Sequence, residues 1–194
     1  AAGGFTDIFS MPNLDPCPDT VENLEIQLAA IERDACVRVY PYGAITMGER
    51  GQELSDMERL ADHVIAFTDD GRGVASEEMM REAMKRAKAL GKLIVAHCED
   101  ENFPKESSES EWKQLERDIR LIRETGCSYH VCHVSTRESI ELVRKAKEEG
   151  LDITCETAPH YLTISNDQVE DDGRFKMNPP IKGPEDRKPS PTGL

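Results

Sequence analysis

The chain is short of positive charge. Its 194 residues carry 24 Lys and Arg against 38 Asp and Glu, a net charge of −14. No basic stripe is available to displace counterions from a phosphate backbone, which argues against nucleic-acid binding. No apolar run approaches the roughly 20 residues that cross a bilayer. Ala1 to Ser10 has neither the charged start nor the apolar centre of a secretory leader. The six cysteines (Cys17, Cys36, Cys98, Cys127, Cys132 and Cys155) include no C-x-x-C pair, and Cys98, Cys132 and Cys155 fall in or beside apolar strands. That is the pattern of reduced thiols in a cytoplasmic protein rather than of a disulfide framework. No glycine-rich phosphate loop follows the first strand, which weakens a dinucleotide-binding reading.

What the chain does have is a repeated layout. Leu93-Ile94-Val95-Ala96 is a continuous apolar run, the mark of a strand buried on both faces, and it runs straight into His97. Val64 to Thr68 runs likewise into Asp69-Asp70, and Tyr129 to Cys132 into His133. Earlier strands are expected over Phe5 to Met11 and Cys36 to Tyr40, and a helix between them, capped by Asp19 or Thr20, with Leu24, Ile26, Leu28 and Ile31 on its apolar face. A short helix is expected around Ser55 to Ala61. Longer ones begin at Ser76, with Met79, Met80, Ala83, Met84, Ala87 and Leu90 as core positions, and span Ser110 to Thr125 and Thr136 to Glu149. Each of these three ends at a glycine (Gly91, Gly126, Gly150) that suits a left-handed cap and precedes a strand. Helix–glycine–strand three times over predicts a parallel sheet with helical crossovers. A (β/α)8 barrel, incomplete at both ends, fits better than a doubly wound sheet, with residues 1–187 as the barrel domain and 188–194 as an irregular proline-rich tail.

Asp70, His97 and His133 would then sit at the ends of three separate strands. A carboxylate and two imidazoles pointing into one mouth suit Zn²⁺ or a similar borderline divalent ion. Two choices arise here. His130 and His133 differ by three residues and face opposite ways on a regular strand; His133 lies nearer the strand's C-terminal end and is the better ligand. Asp69 and Asp70 also face opposite ways, and alternation does not choose between them.

Six motifs carry a resemblance: Met11-Pro12-Asn13, Ala66 to Gly71, Val95 to Glu99, His130 to Thr136, Glu156 to His160, and Phe175 to Pro180. In this order they resemble bacterial dihydroorotase of the amidohydrolase superfamily, from Ala1 to about Arg187. The wording of the second, fourth and sixth favours dihydroorotase over the hydantoinases and allantoinases. The resemblance implies a (β/α)8 barrel with two zinc ions bridged by a hydroxide. It also implies reversible cyclisation of N-carbamoyl-L-aspartate to dihydroorotate in pyrimidine synthesis. Many members bridge the metals with a carboxylated lysine. No lysine ends the Val64–Thr68 strand, so the resemblance is to the branch that uses aspartate, and the motif places it at Asp70. His97 and His133 match two histidine ligands, and Asn13 and Asn178 match residues that hydrogen-bond the substrate.

The chain also departs from that pattern. The family's His-x-His pair and substrate-gripping arginine would lie before Ala1, and its late-strand aspartate and histidine after Leu194. Both ends look cut, and the segment between Asp100 and Ser110 is shorter than usual. The implied partners are a small-molecule substrate, a second copy in a homodimer, or aspartate carbamoyltransferase, for which inactive relatives act as scaffolds.

Overall fold

The computed structural model describes residues 2–187; Ala1 and the expected tail at 188–194 lie outside the described residues. Six strands follow one another as β1 (Asp7–Ser10), β2 (Arg38–Ala44), β3 (Ala66–Thr68), β4 (Ile94–Ala96), β5 (Tyr129–Val131) and β6 (Ile153–Cys155). They form one sheet in strictly sequential order, every pair parallel. Helices α1 (Val21–Asp34), α2 (Met57–Leu60), α3 (Glu77–Ala89), α4 (Glu109–Thr125) and α5 (Arg137–Glu148) make the crossovers, and the short α6 (Pro159–Thr163) follows β6. This is the expected parallel α/β layout.

Local chemistry sets the element ends. Thr20, Ser76 and Thr136 cap α1, α3 and α5 by accepting from the backbone N–H three residues on. Asp19 is not the cap of α1; its carboxylate accepts from the Asn23 amide and from Gly48 N. Gly91, Gly126 and Gly150 all have φ between 67° and 83°, and each leads into a parallel strand. β2 differs most from expectation: it starts at Arg38 and continues through Ala44. Pro41 reads as a strand breaker because it has no N–H to give. Its carbonyl nevertheless accepts from Ile65 N, where β2 changes partner from β1 to β3.

Alternation divides the sheet into two unequal faces. Phe67, Ile94, Tyr129 and Ile153 point toward the helices and join a large core with Leu24, Met80, Met84, Leu115, Ile119 and Ile122. Tyr42, Ala66, Val95 and Cys132 form a much smaller cluster on the inner face. Met79 and Leu90 are only partly buried, at the margin of the helix-side core. All six cysteines are free. Cys155, on the apolar strand β6, is exposed; β6 is the last strand of the sheet among the described residues. No helix of the described residues is long and apolar enough to cross a membrane.

Leu115 is fully buried between helix and sheet, whereas Leu162 is 65% exposed. In urea unfolding, Leu115→Ala should lose about 2–5 kcal/mol. Leu162→Ala should change stability by no more than about 0.5 kcal/mol.

Candidate metal centre

The C-terminal ends of β3, β4 and β5 open on one side of the sheet. The residues just beyond them are where polar groups meet. One ligand atom each from Asp70, His97 and His133 fits within a 4.8 Å span. His97 Nδ1 and His133 Nε2 are 3.0 Å apart, with the rings edge to face. Two nitrogens bound to one tetrahedral zinc at 2.0–2.1 Å would stand about 3.3 Å apart, so the pair is spaced for a shared ion. The donor set of one carboxylate and two imidazoles suits the same borderline divalent metals.

The two histidines reach this point by different routes. His97 continues the line of β4 and is 2% exposed. Its Nε2 is 3.1 Å from a Glu99 oxygen, and the other Glu99 oxygen pairs with Lys105 Nζ at 2.6 Å. Burial raises the Glu99 pKa, but the Lys105 and His97 bonds outweigh it and the net movement is downward. An ionised Glu99 fixes the proton on Nε2 and leaves Nδ1 as the basic nitrogen facing His133. His133 lies two residues past β5 with φ +36°, a left-handed conformation rare outside glycine. It therefore leaves the strand's alternation altogether. Burial, reinforced by nearby His97, lowers its pKa to about 4. The ring is neutral near pH 7, the form a metal takes.

A buried carboxylate holds that turn. Glu111, in the first turn of α4, is 3% exposed. It accepts from Ser135 N and Thr136 N at 3.0 and 3.1 Å and from both hydroxyls at 2.5 and 2.9 Å. One helical turn on, Gln114 donates to His97 O and accepts from Glu99 N. Gly73, with φ +66°, packs the preceding loop onto the same spot: a Cβ there would stand 2.8 Å from His97 O.

The adjacent aspartates have separate environments. Asp69 is buried and accepts from Ile45 N at 2.8 Å, Thr46 N at 3.0 Å and the Thr46 hydroxyl, tying β3 to the turn after β2. Burial lifts its pKa to about 6 against the pull of those bonds. Asp70 is half-buried, faces the histidines, and accepts from the Asn13 amide at 2.8 Å. Asn13 is thus brought to the group. Asn178 is exposed, and among the described residues no side-chain hydrogen bond brings it there. Glu99, Glu111 and Gln114 were not singled out from the sequence; the His97-x-Glu99 spacing was the available signal for the first.

Comparison with known proteins identifies the family and the fold. Residues 1–115 match the family model described as dihydro-orotase-like. The chain is 45% identical to a dihydroorotase of Fusobacterium nucleatum and 46% identical to one of Staphylococcus epidermidis, covering all of this chain and 50% of each relative. It thus spans about half the length of the curated relatives it matches. The first alignment runs over 212 positions against the 194 residues here. Among solved structures, an L-hydantoinase of Arthrobacter aurescens superposes with TM-score 0.81 at 24% identity, over 95% of this chain and 47% of that one. A dihydroorotase of Campylobacter jejuni gives 0.74 at 17% identity, over 95% and 56%. At those identities the likeness establishes the fold, a curled part of a TIM-type barrel.

The aspartate environments predict opposite outcomes. Asp69→Asn puts an amide N–H₂ against backbone donors and should cost about 1–3 kcal/mol in urea unfolding. Asp70→Asn should alter stability by no more than about 0.5 kcal/mol.

Proposed function

The chain belongs to the dihydro-orotase-like family, and from that premise we propose that the protein is a zinc-dependent dihydroorotase. It would interconvert N-carbamoyl-L-aspartate with (S)-dihydroorotate and water, the ring-closing step serving de novo pyrimidine synthesis. The observation that carries this reading is the meeting of Asp70, His97 and His133, from three strand ends, within 4.8 Å. The resemblance gives the whole family two zinc ions; the three residues here are the donors for one. When bound, the ion supplies Lewis-acid polarisation of the ring amide and an activated water.

The remaining work falls to the chain's own residues. Glu99 holds the His97 ring in the tautomer that presents Nδ1, with Lys105 keeping Glu99 ionised. Glu111 fixes the turn that presents His133. Asn13 and Asn178 would orient the substrate through neutral hydrogen bonds, each contributing about 0.5–1.5 kcal/mol. The substrate and product are anions, and a chain of net charge −14 repels them unless metal and arginine make the pocket locally positive. The six free thiols support a cytoplasmic location.

The test is ring opening of dihydroorotate with added zinc, on this chain and on one extended to its relatives' length. The extended protein should turn over, and Glu99→Gln in it should lower zinc affinity or activity about 10–100-fold. This chain alone should be slower by about 10²–10⁴-fold, the usual cost of a missing general acid–base. Equal rates would overturn that assignment. Turnover of hydantoin or allantoin instead would indicate a related cyclic amidase. A zinc-loaded but inactive extended protein would indicate a scaffold for aspartate carbamoyltransferase.

A further inference from the structure

A second constellation lies beside the first, and the proposed reaction does not use it. His130, Cys132 and Glu156 each offer a ligand atom, and those atoms lie within 4.8 Å of one another. They come from the neighbouring strands β5 and β6 and the residues just beyond them. His130 is the middle residue of β5 and pairs with Thr154 of β6. Cys132 follows just beyond β5, and its side chain joins the inner-face cluster with Tyr42, Ala66 and Val95. Glu156 is the residue after β6. Its N–H donates to Val131 O at 3.0 Å and its carbonyl accepts from Val134 N at 2.7 Å. The pairing thus runs on past both strands, and backbone bonds fix all three positions.

The side chains are arranged for a shared ion. His130 Nδ1 is engaged by the Thr154 hydroxyl at 2.7 Å, which leaves Nε2 toward the cluster. Nε2 stands 3.9 Å from a Glu156 oxygen, too far for a hydrogen bond. A small closure would bring both to the roughly 3.3 Å separation of two donors on one tetrahedral ion. Among the described residues, His130 and Glu156 line an inner-face cavity of about 260 Å³ together with Phe9, Tyr42 and Val95.

We propose that His130, Cys132 and Glu156 form a second metal site, one that takes a thiophilic borderline ion such as Zn²⁺ or Cd²⁺. Sulfur in the donor set discriminates against Mg²⁺ and Ca²⁺, and three protein donors leave one tetrahedral position for water. Binding replaces the thiol proton, which leaves to solvent, with the metal–sulfur bond. Asp70, His97 and His133 contain no sulfur, so the two sites are separable by spectroscopy. Cys132 and His133 share a peptide unit, so an ion held by one bears directly on the placement of the other.

The test is titration of this chain with Cd²⁺ under reducing conditions, following the sulfur-to-metal charge-transfer band in the ultraviolet. The band should saturate within two equivalents, one for each site, and at one equivalent in His97→Asn. It should vanish in Cys132→Ser and persist in Cys36→Ser, Cys155→Ser and His97→Asn. His130→Asn and Glu156→Gln should each weaken the Cd²⁺ affinity read from that band by about 10-fold or more. These two variants also carry the test if Cys132→Ser fails to fold. A wild-type chain without the band, a band that survives Cys132→Ser, or affinity unchanged in both His130→Asn and Glu156→Gln would overturn the site.

Discussion

Glu111, Gln114 and Asp118 lie along one face of α4, and all three are almost fully buried. Parallel strands end in loops whose N–H groups are also buried here, and each such group needs a partner. This face supplies them. Glu111 satisfies the turn after β5, Gln114 the extension of β4, and Asp118 the hydroxyl of Tyr129 within the sheet. Burying a carboxylate is costly unless it is fully bonded. Glu111 meets that condition with two N–H groups and two hydroxyls, and Asp118 with Tyr129 and Arg117. The left-handed turn at His133 persists because Ser135 and Thr136, two and three residues on, are held in this way.

The same economy recurs at β3. Asp69 turns away from the mouth to satisfy the backbone after β2, and Glu49 accepts from Asp70 N. Asp70 is left with its side chain facing the histidines. Neighbouring acids thus divide the work. One holds the loop and the other faces the chemistry, so the acid that ties the backbone together is not the one that would have to change partner when an ion arrives. Glu99 and Lys105 stand in a similar relation to His97, fixing a ring nitrogen on the side away from the mouth.

The frame was legible in the sequence because it rests on short-range signals. Glycines after helices, hydroxyl caps and apolar runs act within a few residues, and they located β3 to β6 and the helices between. The convergence of the strand ends followed from the repeat. What was not legible depends on contacts across the fold. A charged residue on a helix reads as solvent-facing, so the extent of α4 was visible but its buried polar residues were not. Alternation left Asp69 and Asp70 equivalent, and the difference between them comes from the turn after β2, more than 20 residues away. The strand geometry that set His130 against His133 could not anticipate a positive φ at His133.

The strictly sequential strand order bears on how the chain comes into being. Among the described residues, each strand from β2 to β6 pairs with the one made just before it. The loop entropy of each closure is that of a single crossover, and the mean separation of contacting residues stays low for a parallel sheet. On a ribosome, β2 can dock on β1 while α2 is still being made, and each later unit adds to a template already in place. The polar face of α4 arrives between the two histidine-bearing strands. His97 has therefore emerged before its Gln114 support, and Glu111 is waiting when the turn at His133 appears.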